Sequence, residues 1–399
     1  MRVGILASHP IQYQAPWFRA LAHETELKVY FAHRQSAQEQ AEAGFGVPFE
    51  WDVDLLSGYS HEFLRNVSRC PSVNDFAGCD TPQIREIIAR EKFDAFIVCG
   101  WYLKSFLQAA HACRRAGIPV LVRGDSQLGT TRSFLRRMVK EVTHRMLLRQ
   151  FDGFLYVGKR NADYLRHYGA KAERMFFVPH FVDNAWFAAK AAITNEARAR
   201  QRAQWGATGE SFVALFVGKL TVKKRPLDLL QAMVPRRKDG SGVIAVFVGA
   251  GELEADLRRE ADALRLPICF EGFKNQSELP PYYASADVLV LPSDHGETWG
   301  LVANEAMACG LPAIVSNAVG CGPDLIDESK TGFTFLLKDT GSLGESMRRM
   351  ALMNESGHDW RPALREKIAG YSVEAAARGT HRALEALRRG GKAVANESP

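Results

Sequence analysis

Short apolar runs alternate along the chain with segments in which apolar residues recur every three or four positions. The runs that predict buried strands lie at 3–7, 27–31, 95–99, 120–122, 153–157, 213–217, 243–248, 268–270, 288–291 and 313–315. The periodic segments that predict helices in the first half lie at 16–23, 82–91, 103–116 and 133–149. Apolar strands separated by helices are typical of parallel sheets covered on both faces. The pattern therefore predicts an α/β fold with two doubly wound, Rossmann-like sheets in series.

The chain of 399 residues is long for one compact core, so two domains of ordinary size are expected. A segment rich in Ala, Arg and Gln at 188–204 predicts a helical connector between the two sheets. We therefore expect an N-terminal domain over 1–190 and a C-terminal domain over 191–370. The remaining residues, 371–399, predict a helix, which is a candidate to pack back on the N-terminal domain, and a frayed tail.

The composition favours a soluble enzyme without a membrane-spanning segment. Apolar residues make up 46% of the chain and charged residues 24%, which is ordinary for a globular protein. Its apolar runs are shorter than the roughly 20 residues that span a bilayer, and the N-terminus predicts a strand rather than a signal peptide. Seven cysteines without zinc-ligand spacing predict free thiols in a reducing compartment. We therefore expect a cytoplasmic protein.

One segment, 132–149, concentrates positive charge. It contains six Lys or Arg residues and one acid, Glu141, and its apolar residues recur at helical spacing. Two interpretations are open: the apolar stripe faces the protein's own sheet, or the helix contacts anionic lipid headgroups. The second would make the protein peripheral on the inner face of the cytoplasmic membrane. Nucleic acid is not expected as a partner, because no aromatic-interleaved basic stripe accompanies the segment.

Two glutamates, Glu297 and Glu305, enclose the most informative segment of the chain. The apolar run at 288–291 predicts an interior strand, and Gly300 followed by apolar residues predicts a loop that enters a helix. The backbone N–H groups and the positive dipole at such a helix start form an anion site. Glu305 follows about two turns into the helix, so both carboxylates can face one ligand. A carboxylate accepts two hydroxyl protons at once, which suits a sugar or a ribose diol.

Other predicted strands of the second sheet are also followed by residues suited to ligands, which bind at strand ends in doubly wound domains. Gly218, Lys219 and Lys224 follow one strand, and two cations on one loop would clamp a diphosphate. Gly251 follows the next strand, where glycine allows close approach to a nucleotide. Phe273 would place its ring against a base, although a turn that needs glycine explains its segment equally well.

The segment 286–312, which includes Glu297, Gly300 and Glu305, resembles the donor-binding signature of the family 4 retaining glycosyltransferases, and nearly the whole chain follows the family's pattern. These enzymes have the GT-B fold, in which two Rossmann-like domains face each other across a cleft. The resemblance implies that Glu297 contacts the donor sugar hydroxyls and that Glu305 holds the ribose. It implies that the backbone N–H groups near the phosphates come from Gly300, Leu301 and Val302.

The loop with Lys219 and Lys224 is similar to the family's Arg and Lys pair that holds the donor diphosphate. Lysine replaces the usual arginine at 219 and loses its bidentate fork, so diphosphate binding would depend more on Lys224. In the first half, Trp101 follows a predicted strand. It would supply an aromatic platform that stacks on a sugar ring, or it would belong to the core.

The N-terminal half departs more from the family's pattern than the C-terminal half does. Where many relatives have a glycine pair after the first strand, this chain has His9, Gln12 and Tyr13. We interpret these three as acceptor-side or phosphate-side contacts; the alternative is that His9 caps a turn. Where relatives often have a histidine after a middle strand, this chain has Arg123 and Asp125. Either would stand in for the histidine, so the acceptor class stays open.

The resemblance implies a hexosyltransferase that moves a hexose from a nucleotide-diphosphate sugar to a glycan or lipid-linked acceptor with retention of configuration. It implies no metal and no cofactor beyond the sugar nucleotide, whose base, in UDP or GDP, stays unresolved. The expected catalytic residues are Glu297, Lys219, Lys224 and Asp125. Two alternatives remain: a sugar-nucleotide 2-epimerase of the same fold, and a non-catalytic sugar-nucleotide-binding subunit. We expect a role in polysaccharide or glycolipid biosynthesis.

Overall fold

A computed structural model of the chain describes residues 1–42, 46–129, 134–208, 211–238 and 242–389, and these residues form two compact units. Unit 1 comprises Met1–Gln35, Asp54–His180 and the segment that begins at Ser372. Unit 2 comprises Ser36–Val53 and Phe181–Tyr371. Each unit is built on one parallel sheet.

The strands, in chain order, are β1 (Arg2–Ala7), β2 (Glu26–Phe31), β3 (Ser60–Phe63), β4 (Ala95–Val98), β5 (Val120–Gly124), β6 (Gly153–Tyr156), β7 (Met175–Phe177), β8 (Phe212–Val217), β9 (Val243–Val248), β10 (Ile268–Gly272), β11 (Val288–Leu291), β12 (Ala313–Ser316) and β13 (Gly332–Phe335).

The helices, in chain order, are α1 (Gln14–Glu24), α2 (Ala37–Gln40), α3 (Ile84–Glu91), α4 (Lys104–Ala116), α5 (Phe134–Leu148), α6 (Lys159–His167), α7 (Asn184–Lys190), α8 (Asn195–Gln204), α9 (Pro226–Lys238), α10 (Glu254–Leu264), α11 (Leu279–Ser285), α12 (Leu301–Ala308), α13 (Gly322–Leu325), α14 (Thr340–Glu355), α15 (Arg361–Ala369) and α16 (Val373–Arg388).

Both sheets have the strand order of a doubly wound domain. In unit 1 the order is β3-β2-β1-β4-β5-β6-β7, and in unit 2 it is β10-β9-β8-β11-β12-β13. The chain changes winding direction beside the first strand of each sheet, between β1 and β4 and between β8 and β11. In such sheets the loops at the carboxyl ends of the strands diverge at this point and leave room for a ligand. The predicted α/β fold with two Rossmann-like sheets is therefore confirmed.

The pattern does not predict three edge strands, β3, β7 and β13. The strand β3 has the sequence Ser-His-Glu-Phe and pairs with β2 along one edge of its sheet. The strand β7 has three residues, and β13 begins with a glycine. The ten strands that the pattern predicts are all present within one or two residues. Apolar runs thus locate the interior strands and one edge strand, β10. The other edge strands depend on pairing with distant segments.

The segment Ser36–Val53 is a correction to the predicted domain boundaries, because the sequence assigned it to the N-terminal domain and the structure groups it with unit 2. Hydrogen bonds explain the grouping. Asn275 donates from Nδ2 to the carbonyl of Glu50 at 2.7 Å, and the backbone N–H of Ser277 donates to the Asp52 carboxylate at 3.2 Å. These contacts join residues more than two hundred positions apart, which no local pattern reports.

The connector predicted at 188–204 consists of two helices, α7 and α8, rather than one. The break comes at Thr194, whose side chain accepts a hydrogen bond from the backbone N–H of Ala197 at 3.2 Å and so caps α8. A threonine at this position satisfies an N–H group that lacks a partner inside the helix. The cap therefore starts a second helix within a segment of high helix propensity.

The C-terminal helix α16 packs on the sheet of unit 1. The indole Nε1 of Trp17 donates to the hydroxyl of Thr380 at 3.2 Å, and both side chains are buried. Gly379 lies so close to β7 that a Cβ atom there would come 2.0 Å from the carbonyl oxygen of Phe177. Because only glycine lacks this atom, residue 379 allows the helix and the strand to make backbone contact.

Candidate functional site

In unit 2, the predicted diphosphate loop and the predicted sugar-binding glutamate lie together. The Nζ atom of Lys224 forms an ion pair with Oε2 of Glu297. Both side chains are nearly buried, with exposed fractions of 13% and 14%. Lys224 follows β8 and Glu297 follows β11, which are neighbours in the sheet. The topology therefore brings a cation and a carboxylate to one point at the switch in strand order.

Lys219 lies on the same loop as Lys224 and has an altered acidity. Burial lowers the pKa of Lys219 to about 8, and the positive charges of Lys223 and Lys224 act in the same direction. Glu297 opposes this shift but is a smaller cause. A bound diphosphate would supply the negative charge that stabilises the protonated form. The loop thus concentrates positive charge, and a bound anionic ligand would reduce the repulsion between its lysines.

Gly218 and Gly251 belong to adjacent loops that are held together by backbone hydrogen bonds. The N–H of Gly218 donates to the carbonyl of Val248 at 2.9 Å, and the N–H of Leu220 donates to the carbonyl of Ala250 at 2.9 Å. These bonds fix the loop after β8 against the loop after β9, which contains Gly251. The backbone that carries Lys219 is therefore held in a defined position.

The helix α12 begins where the sequence predicts an anion site. Gly300 is its N-cap residue and has a φ of 101°, a left-handed conformation that favours glycine. A Cβ atom at Gly300 would come 2.7 Å from Cδ2 of Leu291, so the strand end and the helix start pack closely. Leu301 and Val302 form the first turn, whose N–H groups lack partners inside the helix. These groups and the helix dipole favour a bound anion.

Glu305 lies within α12 and is almost fully buried, with an exposed fraction of 1%. The hydroxyl of Tyr283 donates to its Oε2 atom at 2.5 Å. Tyr283 belongs to α11 and is a residue that the sequence reasoning missed, because no spacing rule links a tyrosine to a glutamate 22 positions later. The hydrogen bond fixes one oxygen of the carboxylate that we expect to hold the ribose.

Phe273, a candidate for contact with the base, lies after β10 against the segment Ser36–Val53. Its ring centroid lies 4.4 Å from that of Phe49, and the Phe49 ring lies 4.9 Å from that of Trp51. Aromatic rings in such clusters gain stability from packing alone. The structure therefore gives Phe273 a packing role beside its predicted contact with a base.

In unit 1, the predicted acceptor-side residues follow β1 and β5. His9 is the second residue after the end of β1 and shares a hydrogen bond between its Nδ1 and the hydroxyl of Ser8 at 3.0 Å. Gln12 is buried and Tyr13 is the N-cap residue of α1. Asp125 directly follows β5, and its side chain is 48% exposed. These residues leave the sheet at the carboxyl ends of strands on the two sides of β4.

Arg123 is buried, with an exposed fraction of 7%. Contact with a substrate alone would not require this burial. Its Nη2 donates to the carbonyl of Pro179 at 3.0 Å, and its guanidinium carbon lies 5.4 Å from the centre of the Trp17 ring. These contacts tie β5 to the segment after β7 and to α1. Arg123 thus shapes this end of the sheet, beside its predicted role with the acceptor.

His180 is a second residue that the sequence reasoning missed. Its Nε2 lies 3.9 Å from Oδ2 of Asp125. Burial lowers the pKa of His180, whereas Asp125 acts in the opposite direction and is a smaller cause. The neutral imidazole is therefore favoured at pH 7. The histidine directly precedes Phe181, where the chain enters unit 2, but no sequence pattern links it to Asp125.

The ring of Trp101 belongs to the packing of unit 1. It stacks on Tyr164 with centroids 6.0 Å apart and planes 5° apart, and it contacts the ring of His144 edge-on at 5.5 Å. It packs against the main hydrophobic core of the unit. These contacts agree with the alternative that Trp101 belongs to the core. Its role as a platform for a sugar ring stays a prediction.

The helix α5 turns its apolar stripe away from the sheet. Met138, Val139, Val142 and Met146 are 56–63% exposed. The opposite face of α5 carries His144, which is buried and shares a hydrogen bond of 2.6 Å between its Nε2 and the hydroxyl of Tyr164. The interpretation that the stripe faces the protein's own sheet is therefore wrong. Six residues of the predicted 132–149 helix, at positions 132–137, lie outside the description, wholly or by their side chains; they include Arg132, Leu135, Arg136 and Arg137.

The described part of the chain contains neither a membrane-spanning helix nor a cluster of metal ligands. Within residues 1–42, 46–129, 134–208, 211–238 and 242–389, none of the helices combines the length and apolar character needed to cross a bilayer. In the same part of the chain, His, Cys, Asp and Glu side chains do not gather in groups of three or more that could hold a metal ion.

Each half of the chain matches a known glycosyltransferase family. Residues 197–367 match the family described as Glycosyl transferases group 1. Residues 10–180 match the Glycosyl transferase 4-like domain. The second match includes the predicted acceptor-side residues from Gln12 to Asp125, and the first includes the lysine loop and both glutamates.

Two curated relatives are similar over part of their length. A sulfoquinovosyl transferase (SQD2) of Arabidopsis thaliana is 34% identical over 170 residues, which are 42% of this chain and 32% of that protein. The GDP-mannose-dependent alpha-(1-6)-phosphatidylinositol dimannoside mannosyltransferase of Mycobacterium tuberculosis is 42% identical over 122 residues, which are 30% of each protein. The chain therefore spans about a third of the length of these relatives.

A solved structure is similar over nearly the whole chain. The crystal structure of HepE (Alr3699) of Anabaena in complex with UDP and glucose has a TM-score of 0.70 at 15% identity, and the match covers 97% of this chain and 100% of that one. At this identity the likeness shows the fold. Together with the two family matches, it shows that the chain belongs to the glycosyltransferases of the family 4 type, which have the GT-B fold.

Proposed function

We propose that the chain is a retaining hexosyltransferase that uses a nucleotide-diphosphate sugar as donor and a glycan or a lipid-linked molecule as acceptor. One observation carries the proposal: Lys219, Lys224, Glu297 and the start of α12 belong to one unit and lie at the carboxyl ends of β8 and β11. Two ammonium groups and a helix dipole stabilise a diphosphate. The carboxylate accepts hydrogen bonds from sugar hydroxyls.

The proposed step transfers one glycosyl group. The oxygen of the acceptor hydroxyl forms a bond to the anomeric carbon while the bond from that carbon to the diphosphate oxygen breaks on the same face. The leaving oxygen takes the proton of the acceptor hydroxyl. Lys219, Lys224 and the N–H groups of α12 stabilise the negative charge that develops on the diphosphate. We propose that these charges act without a metal ion.

The donor and the acceptor are proposed only as classes. A named relative is dependent on GDP-mannose, and a structural neighbour holds UDP and glucose, so either base is consistent with the fold. The name of that relative includes a phosphatidylinositol dimannoside, which supports a lipid-linked acceptor for this chain. We propose that Asp125 and His9, at the strand ends of unit 1, contact the acceptor. Surface polysaccharide or glycolipid assembly is the corresponding biosynthetic role.

We also propose that α5 contacts an anionic membrane surface, which would make the protein peripheral on the inner face of the cytoplasmic membrane. The exposed stripe of Met138, Val139, Val142 and Met146 supports this. Each apolar side chain that enters the lipid interface contributes on the order of 1 kcal/mol. The exposed cations Arg145 and Arg149 lie on the same helix region and attract anionic headgroups.

The transfer reaction is tested by incubating the chain with UDP- and GDP-sugars and a lipid or glycan extract. Release of nucleoside diphosphate that depends on the extract, with an anomeric proton of unchanged configuration in the NMR spectrum of the product, supports a retaining transferase. Conversion of the sugar nucleotide without extract would indicate a 2-epimerase instead. Tight binding of a sugar nucleotide without turnover under any condition would indicate a non-catalytic subunit.

The membrane contact is tested by flotation with vesicles of phosphatidylcholine mixed with phosphatidylglycerol. Val142→Asp places a charge within the exposed stripe and should abolish flotation. Leu352→Asp is the control, because it places the same charge at an exposed apolar residue of α14 in unit 2. Equal flotation of both variants and the native chain would show that the stripe does not enter the membrane.

A further inference from the structure

A cavity of about 300 Å³ lies in unit 1 at the C-terminal end of α5. Its floor is apolar and consists of Leu148, Phe151 and Phe154, each at most 3% exposed. The turn after α6, from Tyr168 to Ala170, also lines the cavity. A cavity of this size holds the volume of roughly ten water molecules, so it has room for a small polar group and its hydration. The predicted donor and acceptor residues do not line it.

Four cations surround this floor: Arg145, Arg149, Lys171 and Arg174. Among the described residues that line the cavity, none is acidic. The acid nearest in sequence to Arg145 is Glu141, which forms an ion pair with Arg145 at 2.6 Å and also contacts His167 at 3.0 Å. All four cations are exposed. The rim therefore has an excess of positive charge over an apolar floor.

This cation excess suits a phosphate more than a carboxylate of a neighbouring protein. Guanidinium groups bind phosphate oxygens in pairs of parallel hydrogen bonds, and three of the four rim cations are arginines. A phosphate presents more oxygens than a carboxylate and can accept from several donors at once.

The position of the cavity relates it to the exposed stripe of α5. Arg145 follows Val142 by three positions, and Arg149 follows Met146 by three positions, so each arginine lies beside a stripe residue on the helix surface. When the stripe enters the acyl boundary of a membrane, charged residues beside it lie at the level of the headgroups. The rim cations would then meet lipid phosphates rather than bulk water.

We propose that this cavity binds the phosphate of an anionic lipid headgroup and so anchors unit 1 to the membrane in one orientation. The inference rests on the proposed membrane contact of α5 and adds a specific site to it. The stripe supplies apolar affinity for any bilayer, whereas the cavity supplies selectivity for anionic lipid. Removal of cavity cations should therefore change the preference between lipids, and removal of the stripe should abolish binding to both.

The test uses the full chain and vesicles of phosphatidylcholine alone or mixed with phosphatidylglycerol. Lys171→Gln/Arg174→Gln removes two rim cations whose side chains are exposed. We expect affinity for the mixed vesicles to fall about 25-fold, at about fivefold for each charge near the surface, with little change for phosphatidylcholine. The control is Arg69→Gln/Arg115→Gln, which removes two exposed cations elsewhere in unit 1 and should cost about twofold or less.

Other outcomes would overturn the proposal in distinguishable ways. If the Lys171→Gln/Arg174→Gln variant binds mixed vesicles as well as the control, while Val142→Asp does not bind, α5 contacts the membrane and the cavity is not a lipid site. If neither variant changes binding, both ideas fail. If inorganic phosphate raises the unfolding temperature of the native chain but not of the double variant, and vesicle binding is equal, the cavity binds a free anion instead of a lipid.

Discussion

Lys224 and Glu297 form an ion pair in unit 2, although the first was expected to bind the donor diphosphate and the second the donor sugar. The pair holds two nearly buried groups of opposite charge at the junction of β8 and β11. A bound diphosphate would compete with Glu297 for the ammonium group, and a sugar hydroxyl would then take the place of Lys224 beside the carboxylate. The two predicted contacts are thus coupled through one interaction.

Glu297→Gln separates the two contacts. Removal of the negative charge leaves Lys224 available to phosphate, so the affinity for nucleoside diphosphate should stay equal or rise by up to about tenfold. Turnover of the sugar nucleotide should fall by about a hundredfold or more, because the amide accepts fewer hydroxyl protons. Calorimetric titration and initial rates measure the two effects. Glu355→Gln, at an exposed glutamate of α14, is the control, and a loss of diphosphate affinity in Glu297→Gln would contradict the coupling.

Lys219 predicts a dependence of diphosphate binding on pH. Since its pKa is lowered to about 8, the ammonium group loses its proton as the pH rises through 8, and affinity for nucleoside diphosphate should fall over the same interval. Lys219→Arg should bind with a flatter profile, because a guanidinium does not titrate there. Titrations at a series of pH values on both proteins check this. The same decline in both would show that another group is responsible.

The same shift makes a prediction for stability. Between about pH 8 and 10.5, the unfolded chain holds a proton at Lys219 that the folded chain has lost. Because the unfolded state then binds more protons, the contribution of Lys219 to the free energy of unfolding rises with pH across this interval. Urea unfolding of the native chain and of Lys219→Met, compared at both ends of the interval, should show that the free energy of unfolding of the native chain rises relative to that of the variant as the pH increases.

Tyr283→Phe tests the support of Glu305. Loss of the hydroxyl leaves a buried carboxylate with one hydrogen bond fewer, which should lower the free energy of unfolding by about 1–3 kcal/mol and weaken nucleotide binding. The neighbouring Tyr282→Phe is a matched control, because the Tyr282 hydroxyl donates to a different carboxylate, Glu271, at 2.9 Å. It should cost similar stability without a change in nucleotide affinity. Equal effects of the two variants on affinity would remove Glu305 from the donor site.

Asp125→Asn tests the proposal that unit 1 binds the acceptor and unit 2 binds the donor. The substitution keeps the size of the side chain and removes the charge that faces His180. We expect KM for the acceptor to rise and kcat to fall by about tenfold or more, with unchanged affinity for nucleoside diphosphate. Steady-state kinetics with varied acceptor, and calorimetry with the diphosphate alone, separate the two. A weaker diphosphate complex would assign Asp125 to the donor instead.

The strands and the signature residues were predictable because short, continuous stretches of the sequence determine them. The buried runs at β8, β9 and β11 are apolar throughout. Gly300 indicates the start of a helix because glycine, which has no side chain, readily adopts the left-handed conformation found there. The outward direction of the α5 stripe was not predictable, because helical spacing shows that Met138 and Val142 share a face without showing what that face meets. The contacts of Tyr283 with Glu305 and of Asp125 with His180 join distant segments, so they follow only from the assembled sheet.

The central claim is that unit 2 binds the diphosphate of a sugar nucleotide, and the most direct test is thermal unfolding with a panel of nucleoside diphosphates and sugar nucleotides. A nucleotide present at 100 times its dissociation constant stabilises the native state by about 2.7 kcal/mol. We predict that one base family raises the unfolding temperature of the native chain and that the rise disappears in Lys224→Met and Glu305→Ala but persists in Glu355→Gln. Equal unfolding temperatures with and without every nucleotide in the panel would contradict the account.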